Sequence, residues 1–202
     1  MKNNNKTGFT LVEVIVAVTV FTIIIGIVML IFSWVIETQE KTLASQELLF
    51  QTSFLMEHMG KSLRMAKKEL SHPPTQCLDT VGRGFNFETN PPINNRIRFI
   101  NDDNLCQEFF LSGARLKKRI STNDNADRFK APLYLTPPYL EVVSFRVNLI
   151  GAGQIDTLGQ IDRIQPRVTL FLEIRRAGPK PGLLPSVKIQ TTLSQRDLDI
   201  VK

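Results

Sequence analysis

From Phe9 to Ile36 the chain runs apolar for 28 residues, with polar side chains at Thr10, Glu13, Thr19, Thr22 and Ser33. A helix of that length reaches about 42 Å at roughly 1.5 Å per residue, more than the about 30 Å of a bilayer's hydrocarbon core. The run is rich in Val and Ile, yet in lipid only a helix satisfies every backbone group within one segment. The pattern therefore predicts a single transmembrane helix. After Ile36 the pattern turns amphipathic. Leu48, Leu55, Met59, Leu63, Ala66 and Leu70 recur at helical spacing, flanked by Leu49 and Phe54, while Glu37, Glu40, Lys41, Glu47, Glu57 and Lys61 occupy much of the rest. The helix is expected to continue to about Leu70, roughly 90 Å if unbroken. His72-Pro73-Pro74 should end it, because proline lacks an amide donor and constrains the residue before it.

Beyond that point Pro, Asn, Asp and Gly separate short strand-like segments: Arg96–Ile100, Leu105–Leu111, Arg115–Ile120, Leu140–Leu149, Arg167–Arg175 and Ser186–Leu193. The last three alternate with period two. Their inward sets are Val143, Phe145, Val147 and Leu149; Val168, Leu170, Leu172 and Ile174; and Val187, Ile189, Thr191 and Leu193. They are expected to be neighbouring antiparallel strands whose apolar face covers the amphipathic helix. Residues 73–95 and 121–139 read as long loops. Residues 151–162, with their near-repeat of Gly153-Gln154-Ile155-Asp156 in Gly159-Gln160-Ile161-Asp162, read as a hairpin with a mobile tip.

Lys2 and Lys6 precede the apolar run, so the positive-inside rule places residues 1–8 in the cytoplasm and the chain after Ile36 outside. A cleaved secretory signal would need a shorter apolar region closed by a small-x-small site. The nearest such site, Thr42-Leu43-Ala44, lies well beyond the run. An uncleaved signal anchor accounts for the lysines and the length but leaves Glu13 unexplained. A carboxylate in a membrane helix costs about 2.5–3.5 kcal/mol near the centre and less toward an end, and is kept mostly where it has a partner. Glu13 could also sit at the headgroup level.

Lys6-Thr7-Gly8-Phe9-Thr10-Leu11-Val12-Glu13, followed by the long apolar run, resembles the N-terminal signal of type IV prepilins and pseudopilins. The resemblance implies cleavage after Gly8 by a prepilin peptidase and N-methylation of the new N-terminus, Phe9. It also implies pairing of the Phe9 amine with Glu13 of the same or a neighbouring subunit during filament assembly. The implied partners are the peptidase, other pilins or pseudopilins, an inner-membrane assembly platform and membrane lipid. The implied location is the bacterial cytoplasmic (inner) membrane, single-pass, with an extracytoplasmic head that is later extracted into a filament. Major pilins commonly carry a helix-kinking proline in the second half of this segment; here Gly26 is the intrinsic weak point.

The expected organisation is a leader at 1–8, a transmembrane and assembly helix at 9–36, its amphipathic continuation at 37–72 and a β-rich extracytoplasmic head at 73–202. The fold class is α+β, a pilin-like lollipop with the long N-terminal helix packed on an antiparallel β-sheet. The stretches Leu135-Thr136-Pro137-Pro138, Val142–Val147, Gln165–Leu170 and Ile189–Arg196 resemble the head of J-type minor pseudopilins and W-type minor pilins. That likeness implies a minor subunit that primes assembly of a type IV pilus or a filament of the type II secretion class.

Composition adds three points. The net charge is +6, and loss of residues 1–8 leaves 23 basic against 19 acidic side chains, a mild excess. Such a surface is either ordinary solvated charge or an attraction for DNA or anionic lipid. Cys77 and Cys106 both fall on the outside, where a disulfide can persist. Closing a loop of about 30 residues would contribute roughly 3–4 kcal/mol; two separate buried thiols are the alternative.

Little in the chain points to catalysis. The histidines are His58 and His72, and no HExxH, CxxC or P-loop pattern occurs, so neither an enzyme nor a cofactor is expected. Asp102-Asp103-Asn104 and Asn123-Asp124-Asn125-Asp127 carry the oxygen atoms that calcium requires, but Asn and Asp are equally standard turn formers. Two functional alternatives remain: a competence-type pilin-like protein that binds DNA, for which Lys117-Lys118-Arg119 and Lys67-Lys68 are the basic clusters, and a signal-anchored extracytoplasmic enzyme.

Overall fold

The computed structural model describes residues 8–69, 77–78, 86–122, 128–151, 164–178 and 185–196. Residues 1–7 of the leader, the His72-Pro73-Pro74 terminator, the near-repeat at 153–162 and the acidic cluster with Asp124 and Asp127 lie outside the described residues. The chain divides into two compact units, Met1–Ala44 and Ser45–Lys202. One helix, α1 (Leu11–Arg64), accounts for the described part of the first unit beyond Thr10 and enters the second. It passes through Gly26 without interruption.

In the second unit, α1 buries Leu48, Thr52, Leu55, Met56, Met59, Gly60 and Leu63. Thr52 is tolerated there because its hydroxyl bonds the Leu48 carbonyl at 2.6 Å. Phe54, expected beside this stripe, is exposed, as is Leu49. The stripe packs on two antiparallel sheets rather than one. The five-stranded sheet has the order β1 (Glu88–Thr89), β2 (Arg96–Ile100), β3 (Cys106–Ser112), β4 (Arg115–Ile120) and β5 (Leu133–Tyr134). The three-stranded sheet has the order β6 (Leu140–Ile150), β7 (Arg167–Arg176) and β8 (Ser186–Ser194). The α+β class, with a long N-terminal apolar helix and antiparallel sheets, is as the sequence predicts.

Side chains from both sheets meet the helix in one core that includes Ile97, Phe99, Phe109, Leu116, Phe145, Val168, Leu170 and Leu172. The aromatic members touch, with Phe99 and Phe109 centroids 5.7 Å apart. Gly60 lets β8 approach α1 closely: a Cβ there would stand 3.4 Å from Leu193.

Three sequence expectations change. Val143 does not point inward. The β6–β7 register shifts between Val142 and Ser144, so the buried set runs Leu140, Val142, Phe145 and Val147, and Val143 is exposed. A bulge adds one residue and so flips the phase of a period-two strand. Here the Val142 amide donates to Ala114 O at 2.8 Å, in the turn between β3 and β4.

The helix also stops at Arg64, short of Leu70, and residues about 130 positions further on meet the chain where it ends. Arg196 N donates to Arg64 O at 2.9 Å and Gln195 Nε2 to Ala66 O at 2.6 Å. Lys67 has already turned away, donating its amide to Ile100 O at 2.9 Å. The third change concerns the reach assigned to loops 73–95 and 121–139, which contain the short strands β1 and β5.

Candidate processing and assembly segment

Residues 8–10 precede the helix, and Thr10 is its N-cap. The Glu13 amide donates to Thr10 Oγ1 at 3.3 Å, while Glu13 Oε2 accepts from the Thr10 amide at 2.9 Å and from its hydroxyl at 3.0 Å. This is a capping box, in which residues three apart reciprocally satisfy the free amides of a helix start. Glu13 therefore has partners within its own chain. The signal, Thr-x-x-Glu ahead of an apolar run, was present in the sequence as Thr10-Leu11-Val12-Glu13. Gly8 has open space around its Cα, and Phe9 is 87% exposed.

From Leu11 to Ile36 every side chain is exposed, and the helix is long and apolar enough to cross a membrane. Its hydroxyls are satisfied internally. Thr19 donates to Ile15 O at 2.7 Å, Thr22 to Val18 O at 2.6 Å and Ser33 to Met29 O at 3.0 Å. Such back-bonding removes the cost of placing a hydroxyl in hydrocarbon. Just past the span, Lys41 and Glu37 pair at 2.8 Å.

In the second unit Cys77 and Cys106 form a disulfide. Cys106 lies on the face of β3 that turns away from α1, so the bridge holds residues 77–78 as a strap over that face. Two further contacts fix the strap. Glu69 accepts from the amides of Cys77 and Leu78, each at 2.9 Å, and Arg98 Nη1 donates to Cys77 O at 3.3 Å. Ile100 and Phe129 pack around the bridge.

Asp102 and Asp103 sit on the turn between β2 and β3. Asn101 organises the turn by accepting from the Asp103 and Leu105 amides at 3.0 and 2.9 Å. The Lys67 ammonium reaches into it, donating to Asp102 O at 2.7 Å and Asn104 Oδ1 at 2.9 Å. The Lys67 ammonium thus takes two oxygens of this turn, one from the backbone and one from an amide side chain. Among the described residues no group of three or more His, Cys, Asp or Glu side chains converges.

Strand alternation divides the Lys117-Lys118-Arg119 cluster. Lys117 and Arg119 share the outer face, and Lys118 turns toward α1. There Lys118 and Lys61 oppose protonation of His58, although burial is the larger reason its imidazole stays below the usual range. His58 is not a plain surface residue: its ring meets Phe109 edge-on, 6.4 Å between centroids. Lys118 is itself held below the usual lysine range by burial, partly offset by Asp102.

Residues 3–31 match the family model described as the prokaryotic N-terminal methylation motif. No curated protein and no solved structure matches the chain. The chain therefore carries the N-terminal methylation signal of type IV prepilins and pseudopilins, and from Gly8 onward the match falls on the segment whose geometry is described above.

Proposed function

We propose that this protein is a minor pilin or pseudopilin, a structural subunit that helps prime a type IV pilus or a type II secretion-like filament. The observation that carries the reading is the combination at one end of the chain. Residues 3–31 match a methylation motif, and Gly8-Phe9 precede a capped helix whose apolar residues 11–36 are exposed. Prepilin peptidase would cut between Gly8 and Phe9 and methylate the new amine. That amine would then lie one residue from Thr10, whose own amide already bonds Glu13. A positive N-terminus and the Glu13 carboxylate are each costly alone in low dielectric, and either a bond within the chain or one to a neighbouring subunit relieves both. The minor rather than major assignment draws on the likeness of the C-terminal stretches to J- and W-type heads.

Mass spectrometry of the protein extracted from membranes of cells carrying the peptidase tests the reading. The expected product begins with N-methyl-Phe9. Wild-type protein that mostly retains residues 1–8 would end it.

A further inference from the structure

The outer face of the five-stranded sheet carries two cross-strand rows of opposite character. One runs Glu88, Arg98, Glu108, Arg119 across β1 to β4. It neutralises itself: Arg98 Nε and Arg119 Nη2 each stand 3.1 Å from Glu108 Oε2, and the Glu108 side chain is 1% exposed. The next row runs Arg96, Phe110, Lys117, Tyr134 across β2 to β5, and it contains no carboxylate. Arg115, two residues before Lys117 on the same face, stacks its guanidinium over the Tyr134 ring at 3.8 Å and is pinned by a hydrogen bond to Thr136 O. The Lys117 ammonium lies 4.9 Å from the same ring. Tyr134 is nonetheless 57% exposed. One acid touches the row at its far end, where Glu88 stands 3.8 Å from Arg96. Among the described residues no carboxylate pairs with Arg115 or Lys117.

We propose that this second row is a binding platform for single-stranded nucleic acid. Lys117, Arg115 and Arg96 would take phosphates, and the Tyr134 ring with its stacked guanidinium, together with Phe110, would take bases. The observations favour this ligand on three grounds. Four strands about 4.8 Å apart give a row of about 14 Å with cation and aromatic alternating, which suits an extended strand with a charge and a flat ring in every unit. A duplex turns its bases inward and would leave the rings without work. A polyanion without bases would use the cations but not the exposed face of Tyr134. The proposal stands apart from the filament reading, since the row exists whatever becomes of residues 1–8.

The test uses the full chain in non-ionic detergent and a fluorescent oligothymidylate of about 20 nucleotides, read by anisotropy across a salt series, with heparin and duplex DNA as comparison ligands. Binding of the oligothymidylate should be tighter than binding of the duplex and should weaken with salt. Lys117→Gln should lower the slope of log affinity against log salt by about 0.7, and Lys117→Arg should restore it. Tyr134→Leu should weaken oligothymidylate binding about tenfold while leaving heparin binding within about twofold, and Tyr134→Phe should bind like wild type. Variants are compared once their circular dichroism matches that of wild type. No binding at low salt would overturn the proposal. So would equal losses for heparin and oligothymidylate in Tyr134→Leu, which would mark a site for polyanions at large, and so would duplex bound as tightly as the single strand.

Discussion

Thr10 and Glu13 hold each other across the first turn of α1: the Glu13 carboxylate accepts the Thr10 amide at 2.9 Å, and the Glu13 amide donates to the Thr10 hydroxyl at 3.3 Å. The acid that the sequence marks as unusual in a membrane helix thus has a local task before any neighbour arrives. Peptidase processing would add a cation next to this pair and change what the carboxylate has to balance.

Replacing Glu13 by Val should leave membrane insertion intact, and could raise it, because a polar group leaves the span. It should weaken incorporation beside other subunits, because the processed Phe9 amine would lose its counter-ion. Co-purification with partner pilins, compared at matched membrane levels, measures this. Unchanged co-assembly would show that helix packing or the heads carry the association. Thr10→Val tests capping alone. It should cost about 1 kcal/mol of helix-start stability and leave the Glu13 charge in place.

Gly8→Val puts a branched side chain where the resemblance implies a peptidase cut beside a residue without one. The precursor should accumulate uncut, seen as a retained mass of residues 1–8. Efficient processing of this variant would remove Gly8 from the recognition.

A fragment lacking residues 1–36 should be soluble and folded, because the core lies wholly beyond Ala44. Its intact mass under non-reducing conditions should be two hydrogens short, reporting the bridge between Cys77 and Cys106. Cys77→Ser with Cys106→Ser should lower its stability by roughly 3 kcal/mol. Two freely alkylatable thiols in protein exported by cells would refute the bridge.

His58 gives this fragment a pH dependence. Its imidazole is held below the ordinary value by burial and by Lys118 and Lys61. As pH falls through the unfolded value of about 6.5, the unfolded chain takes the proton first, so stability declines from there down to the lower folded value. Denaturant midpoints between about pH 7 and pH 5 should fall in wild type and fall less steeply in His58→Gln. Parallel curves would mean that the ring accepts its proton equally well in the folded state.

Gly60→Ala should stabilise the fragment by up to about 1 kcal/mol, since the added methyl meets Leu193 at an ordinary 3.4 Å and helix propensity improves. Gly60→Leu should lower the melting temperature by forcing β8 away from α1.

The sequence located the long strands well because each joins a continuous apolar alternation to turn residues. The spans Arg96–Ile100 and Arg115–Ile120 are those of β2 and β4. It erred at Val143, because a bulge shifts phase through a backbone bond to Ala114 that lies outside the strand itself. It overran α1, where Arg64 and Ala66 meet Arg196 and Gln195, about 130 positions away in sequence, and no local pattern encodes that. β1 and β5 are two residues each, too short to carry a period. In the N-terminal segment Gly8, Phe9 and Glu13 stood out through the resemblance to prepilin signals, while the Thr10 partnership was legible but masked by the apolar run beside it. The row through Lys117 and Tyr134 required the register of four strands, so a list of basic residues could show the charge but not its aromatic neighbours.

The meeting of Arg196 with Arg64 also sets an order in time. Synthesis makes α1 early, yet the residues that meet its last turn follow only about 130 positions later. Until then the Arg64 and Ala66 carbonyls and the Leu193 contact on Gly60 wait unfilled, so the head can complete itself only after residues 193–196 have been made. Any partner that needs the finished surface meets it as a late event, and a chain cut short before Gln195 should be open at the helix end and exposed to proteolysis.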